Sequence, residues 1–139
     1  MISRLAGFVL AVLTLAALLP ASASAHYDGE LLPDSVAVME YSMIINMKPD
    51  DTLTRNKLGM VYIRQAKLVK AREQFGEILK IKPGDFDALD SLGMVSEKEG
   101  KYAEAVKWYG MALKVRKDDK GVRERYNAAA EKARMKERR

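Results

Sequence analysis

Few side chains in this 139-residue sequence could act as a nucleophile, a general base or a soft metal ligand. Histidine occurs once, at His26, and cysteine does not occur. If processing made His26 the N-terminal residue, its α-amine and imidazole could chelate Cu²⁺, but such a copper site needs a second imidazole. We therefore expect no enzyme activity, no catalytic residue, no metal and no cofactor.

Clustered carboxylates offer a second kind of chemistry. Asp85, Asp87 and Asp90 lie at the start of one predicted helix, and Asp118 and Asp119 precede another. Oxygen ligands of this kind suit Ca²⁺, but the spacing lacks the glycine and the final glutamate of a calcium-binding loop. Acidic residues at helix starts usually cap the helix and interact favourably with its dipole. The pattern therefore indicates capping.

The N-terminus has the features of a secretory signal peptide. Arg4 precedes an apolar run over residues 5–19, and small residues follow over 21–25. This arrangement predicts export, with residues 1–25 removed by cleavage after Ala25 or, as a second choice, after Ala23. The bacterial periplasm is the expected location, with secretion outside the cell left open. The alternative is a membrane anchor that is not cleaved, although the run is shorter than the roughly 20 residues of a spanning helix.

Positive charge is concentrated at the C-terminus. Residues 116–139 hold 10 basic and 5 acidic side chains, while the whole chain has a net charge of +5. Five basic residues form a tail: Lys132, Arg134, Lys136, Arg138 and Arg139. Such a tail could make weak contact with an anionic membrane surface or remain solvated. We expect no nucleic acid partner, because aromatic residues are not interleaved with these charges.

Part of the sequence is repeated after 34 residues. The tetrapeptide Leu-Gly-Met-Val occurs at residues 58–61 and again at 92–95. The match continues over a second segment, in which Ala71 corresponds to Ala105 and Phe75 to Tyr109. A repeat of this length predicts stacked helical hairpins, in which small residues let two antiparallel helices approach each other.

These residues resemble the pattern of the tetratricopeptide repeat (TPR) family, whose helical hairpins have a similar length and a similar order of small and aromatic positions. The resemblance implies an all-α fold, a short right-handed solenoid of antiparallel hairpins closed by a C-terminal capping helix. Full repeats are expected at residues 52–85 and 86–119. An N-terminal segment with half a repeat is expected at 26–51, and a basic capping helix and tail at 120–139.

The same resemblance implies a concave groove that binds a segment of another protein. By register, the groove is lined by Asn56, Met60, Ile63, Arg64, Asp87, Asp90, Met94 and Glu97. Its methionines would form an apolar floor, and its acidic residues would favour a partner with some basic side chains. The leading hypothesis is therefore an exported adaptor or scaffold for a protein of the cell envelope.

A second hypothesis concerns the N-terminal half repeat, a helix with apolar side chains on all sides and no hairpin partner. We expect an exposed assembly face formed by Met39, Tyr41, Met43 and Ile44. Such a face could drive homo-oligomerisation, or it could dock the chain as a small structural subunit of an envelope complex. In the alternative, residues 26–32 fold back over this helix.

Overall fold

The computed structural model describes residues 33–138, and these form six α-helices without a strand. The helices are α1 (Asp34–Met47), α2 (Thr52–Arg64), α3 (Leu68–Ile81), α4 (Phe86–Lys98), α5 (Tyr102–Val115) and α6 (Lys120–Glu137). The predicted signal peptide, residues 26–32 and Arg139 lie outside the described residues. No helix among those described is both long enough and apolar enough to cross a membrane.

Three helices begin in the same way, at positions 34 residues apart. The carboxylates of Asp51, Asp85 and Asp119 accept hydrogen bonds from backbone N–H groups three residues further on, at 2.9–3.0 Å. These contacts satisfy N–H groups that have no partner inside the helix. The capping prediction is therefore confirmed for Asp85 and Asp119. Helix α1 differs, because the residue before it is Pro33 and no side chain caps the helix.

The two hairpins are closed by equivalent tight turns. Gly100 joins α4 to α5 with a φ of +70°, and Ala66 joins α2 to α3 with a φ of +55°. The left-handed conformation suits glycine and is strained for alanine, because of the Cβ atom. The second turn therefore keeps its conformation although its sequence departs from glycine.

Glycine and an aromatic ring make the closest contact inside each hairpin. Phe75 of α3 lies over Gly59 of α2, where a Cβ atom would be 2.6 Å from the ring. Tyr109 of α5 covers Gly93 of α4 in the same way, and a Cβ atom there would overlap the ring. Both aromatic side chains are fully buried. These glycines are therefore required by packing and let the paired helices approach closely.

The second hairpin and α6 share one apolar core. Its buried members are Phe86, Leu89, Ala105, Tyr109, Ala112, Val122 and Ala129. Val122 and Ala129 belong to α6, and Tyr126 of the same helix packs against this cluster. The C-terminal helix therefore covers the apolar end of the second hairpin, as expected of a capping helix.

An ion-pair network joins the two hairpins. Arg72 of α3 donates to Glu99 and to Glu104, each at 2.6 Å, and also to the hydroxyl of Ser96. Burial works against ionisation of both glutamates. Hydrogen bonds outweigh that effect and lower the pKa values of both carboxyls. Lys101 and Arg72 donate to Glu99, and Trp108 and Arg72 donate to Glu104. The charged network thus connects α3 to the start of α5.

Candidate functional site

The expected groove residues lie on α2 and α4, which are neighbouring helices in contact with each other. Four of the eight residues are on α2 and four are on α4, and three pairs occupy corresponding places in the two repeats, at positions 56 and 90, 60 and 94, and 63 and 97. Their distribution follows from the 34-residue period, because equivalent residues on stacked hairpins occupy the same face. The sequence therefore placed the candidate residues on one pair of adjacent elements, but their environments differ.

A small depression lies at the N-terminal ends of these two helices. It has a volume of about 210 Å³ and is lined by Thr52, Leu53, Asn56, Lys82, Asp85 and Asp87. The side-chain oxygen of Asn56 is buried here and has no hydrogen-bond partner among the described residues. Leaving such an acceptor unsatisfied costs about 1–3 kcal/mol. Asn56 could therefore accept a hydrogen bond from a donor that enters the depression.

The apolar groove residues are not equally accessible. Met60 and Met94 are half-buried, and Met94 packs against the apolar core shared by the second hairpin and α6. Ile63 is only 8% exposed and belongs to the core. Its expected contact with a partner is therefore corrected, since packing within the domain already buries its side chain. Met60 and Met94 keep enough exposed surface to contact a ligand.

Two carboxylates of α4 are already paired with α6. Asp90 accepts two hydrogen bonds from Arg125, at 2.7 and 3.1 Å. Glu97 accepts one from Lys132 at 3.2 Å and another from the hydroxyl of Tyr109 at 2.7 Å. Burial raises the pKa of Asp90 despite the neighbouring guanidinium, and burial together with Glu97 raises the pKa of Tyr109.

This pairing changes the expected charge of the groove. Arg125 and Lys132 neutralise Asp90 and Glu97, so Asp87 is the exposed groove carboxylate that forms no ion pair within residues 33–138. Arg64 is likewise paired, with Asp34 at 2.8 Å. Sequence analysis missed the α6 contacts, although each pair is separated by 35 residues, close to the repeat length. That spacing was the available signal.

The N-terminal assembly face is partly corrected by the structure. Tyr41 is only 6% exposed and packs in the core, so it cannot belong to an exposed face. Ile44 is half-buried, whereas Met39 and Met43 are more than 60% exposed.

The absence of a hairpin partner does not explain the exposure of these methionines. At the equivalent positions of α3, which has its partner, the side chains are Glu73 and Glu77. At the equivalent positions of α5 they are Lys107 and Met111, and Met111 is exposed. The position of Met39 is therefore charged in both complete hairpins, whereas the position of Met43 is also exposed and apolar in the second one, so only Met39 departs from both.

The basic C-terminal residues are divided between internal contacts and solvent. Lys132 pairs with Glu97, and the ammonium of Lys136 donates to the carbonyl of Gly100 at 2.9 Å. Arg134 and Arg138 are exposed. A membrane contact through this tail therefore has fewer uncommitted charges than the sequence indicates. No group of three potential metal ligands from His, Cys, Asp and Glu occurs in the part of the chain that the structure describes.

Comparison with solved structures decides the fold. The first TPR domain of human RPAP3 aligns with 76% of this chain and 83% of its own length, at 16% identity and a TM-score of 0.72. The TPR domain of Arabidopsis OM64 aligns with 76% of this chain and 86% of its own, at 17% identity and a TM-score of 0.68. The chain has the tetratricopeptide repeat fold.

A further TPR structure was determined with a ligand. It is the first TPR domain of Spaghetti (RPAP3), bound to the HSP90 peptide SRMEEVD. It aligns with 70% of this chain and 78% of its own, at 15% identity and a TM-score of 0.68. No protein-family model and no curated protein sequence matches this chain. At these identities the likeness establishes the TPR fold, and the ligand belongs to the other protein.

Proposed function

We propose that this TPR protein is a non-enzymatic adaptor that holds a segment of another protein against α2 and α4. The observation that carries the proposal is Asn56, which lines a depression on these helices and has a buried side-chain oxygen without a hydrogen-bond partner among the described residues. Buried polar groups in proteins are rarely left without a partner, and a ligand is one way to supply it. A TPR structure of the same fold, bound to a peptide, supports a protein ligand.

The proposed partner segment combines apolar and basic side chains. Apolar side chains would pack on Met60 and Met94, whose thioethers adapt to irregular surfaces. A backbone N–H group or a basic side chain would donate to Asn56, and a basic side chain would also complement the exposed Asp87. Because Asp90 and Glu97 are paired with α6, their carboxylates add little to this recognition.

Site-specific photocrosslinking tests the position of the partner. A photoreactive amino acid at Met60 or Asp87 should crosslink one protein in the producing cell, and the same amino acid at Glu73 on α3 should not. Glu73 is a matched control because it is exposed on a helix of the same hairpin. Equal yields of one partner from all three positions would contradict binding at the α2–α4 groove.

Substitution of Asn56 separates binding from folding. The change Asn56→Leu removes the unpaired acceptor while keeping a similar volume, so we expect unfolding stability to rise by about 1 kcal/mol. We expect affinity for the crosslinked segment to fall about tenfold, because the ligand's donor loses its acceptor. Urea unfolding and isothermal titration calorimetry measure the two effects. Unchanged affinity would remove Asn56 from the proposed site.

We also propose that the adaptor is exported and works in the bacterial periplasm, bound to a protein of the cell envelope. The support is the order of Arg4, the apolar run at 5–19 and the small residues at 21–25. Mass spectrometry of the protein purified from its cell should give an N-terminus at His26. Recovery of the intact chain in membranes would favour the alternative, an uncleaved N-terminal anchor.

A second candidate function is a structural subunit of an envelope complex. It is favoured by the exposed methionines of α1, which give this helix an apolar surface. In that role α1 is the docking element and the α2–α4 groove can remain empty. Crosslinking from Met39 rather than from Met60 would favour it.

A further inference from the structure

One face of α1 is apolar and exposed over the full length of the helix. It is formed by Val36, Met39, Met43 and Met47, which we call the α1 stripe. Spacings of three and four residues place these side chains on a single face. Met39 is 63% exposed, Met43 61% and Met47 77%. A continuous exposed apolar face of this kind indicates a contact surface.

A second open surface lies between α5 and α6, at the other end of the repeat array. A depression of about 620 Å³ is lined by Val106, Lys107, Gly110, Met111, Leu113, Lys114, Arg123 and Tyr126. Another of about 500 Å³ is lined by residues that include Tyr102, Ala103, Lys107 and Ala133. Because Lys107 lines both, they form one seam, which we call the α5–α6 groove. Its floor is apolar and contains several small residues.

The corresponding seam one repeat earlier is filled by a helix. There Leu79 of α3 packs against the core cluster that contains residues of α5, and Arg72 pairs with Glu104 of α5. The residues equivalent to Leu79 and Arg72 in the next repeat are Leu113 and Val106, which line the α5–α6 groove. No helix within residues 33–138 fills that groove. It is therefore shaped to receive one more helix.

The two surfaces carry opposite charge. Lys107 and Lys114 line the α5–α6 groove, are exposed, and form no ion pair within the described chain. Arg123 lies at the same end of the groove. Helix α1 has no lysine or arginine between its ends, and of its two acidic residues Asp34 is paired with Arg64, whereas Glu40 is exposed and forms no ion pair among the described residues. The α1 stripe therefore lies beside one unpaired carboxylate, that of Glu40, and the groove has basic edges.

We propose that the α1 stripe of one copy docks into the α5–α6 groove of a second copy. In repeat register α1 is the second helix of a hairpin, and the groove is the place where a second helix would follow α6. The face that packs in a complete hairpin corresponds to Ala37 and Tyr41 of α1, which are buried in their own chain, so the stripe would enter the groove through the other face of α1. The position that is glycine at residues 59 and 93 is Asn127 in α6. The side chain of Asn127 leaves no space for a buried aromatic ring, and the α1 stripe contains no aromatic residue.

This contact is head-to-tail, since it joins two different surfaces of the same chain. Such a contact generates rings or open chains of subunits instead of a closed symmetric dimer. An interface confined to one helix falls below about 1,200 Å², the size of weak and transient interfaces. We therefore expect dissociation constants in the micromolar range or weaker. The proposal goes beyond the adaptor function, because it uses neither Asn56 nor Met60.

The test uses two variants that block opposite surfaces. Met39→Lys with Met43→Lys places positive charge on the α1 stripe, and Lys107→Glu with Lys114→Glu makes the groove acidic. All four side chains are exposed. Met39→Lys introduces the residue type found at the equivalent position 107, and Lys107→Glu introduces the one found at the equivalent position 73. Each protein is purified from cells that express the full sequence and is studied by sedimentation equilibrium over a range of concentrations.

The wild-type protein should show a mass that rises with concentration, and each variant alone should associate at least about tenfold more weakly. Mixing the two variants should restore association but stop at a heterodimer, because only one intact stripe and one intact groove remain. Added salt should weaken the contact. Val69→Lys and Lys80→Glu are exposed control changes on α3 and should leave association unchanged.

Three results would overturn the proposal. A wild-type protein that stays monomeric at millimolar concentration would show that neither surface binds a second copy. If the groove variant alone associates as strongly as the wild type, the α1 stripes pair with each other. If the stripe variant alone does so, the groove binds some other surface. Crosslinking at Met60 is unaffected by these outcomes, so the adaptor proposal is judged separately.

Discussion

Gly59 and Gly93 are required by helix packing, which is not the case for every glycine of this protein. At Gly59 and Gly93 an added Cβ atom would meet the ring of Phe75 or Tyr109, whereas at Gly76 no atom lies within 4 Å. The requirement for glycine therefore comes from a contact between helices and not from backbone conformation. Asn56 is a contrasting residue, whose side chain lacks a partner inside the described chain.

We expect Gly93→Ala to destabilise the protein and Gly76→Ala to stabilise it. Overpacking against Tyr109 costs about 1–3 kcal/mol, of which the better helix propensity of alanine recovers about 0.5–1 kcal/mol. Only the propensity gain applies at Gly76, so its stability should rise by about 0.5–1 kcal/mol. Urea unfolding followed by circular dichroism measures both. Equal effects of the two substitutions would mean that the Tyr109 contact does not constrain Gly93.

At the scale of the helices, local signals were sufficient for the hairpins. Asp51 and Asp85 mark helix starts, and the 34-residue period places Phe75 and Tyr109 over their glycines. These features depend on residues close in sequence or on the repeat itself. The pairing of α2 with α3 and of α4 with α5 could therefore be predicted from the sequence.

The environment of the candidate site was less predictable. Whether Asp90 faces solvent or Arg125 depends on how α6 crosses α4, which the sequence period does not determine. Burial of Ile63 and Tyr41 likewise depends on neighbouring helices rather than on helix periodicity. A count of charged residues therefore overestimated how acidic the groove is. Apolar composition likewise overestimated how many apolar side chains of α1 are exposed.

The network between α3 and α5 should make stability depend on pH. Glu99 and Glu104 have lowered pKa values in the folded protein, so their charged forms are favoured by folding. That contribution is present above the ordinary glutamate pKa of 4.5 and is lost as the pH falls through the lowered folded values. We expect the free energy of unfolding to decrease as the pH falls below about 4.5.

Substitution of both carboxyls tests the assignment of this pH dependence. Glu99→Gln with Glu104→Gln should lower stability at neutral pH and reduce its decrease on acidification. Glu131→Gln on α6 is the control, because Glu131 is exposed and unpaired among the described residues. Urea unfolding at several pH values measures the slopes. A double variant with the wild-type slope would assign the acid sensitivity to other carboxyls.

At the scale of the whole molecule, packing is strongest in the middle of the array and weakest at α1. Helix α4 buries Phe86, Ala88, Leu89, Ser91, Leu92, Gly93, Val95 and Ser96, whereas α1 buries Ala37 and Tyr41. Helix α1 also lacks a side-chain cap. In a repeat protein each hairpin is stabilised mainly by its neighbours, so the helix with the smallest contact should open first.

Hydrogen exchange measured by mass spectrometry should therefore give a gradient along the chain. Amides of α4 should exchange most slowly and amides of α1 fastest, because local opening of α1 exposes only two buried side chains and α1, unlike α6, has no side-chain cap. If α1 binds the α5–α6 groove of a second copy, raising the protein concentration should slow exchange in α1, α5 and α6 but not in α2. The Met39→Lys, Met43→Lys variant should keep the gradient and lose its concentration dependence. Uniform exchange across all six helices would instead mean that the solenoid opens as a single cooperative unit.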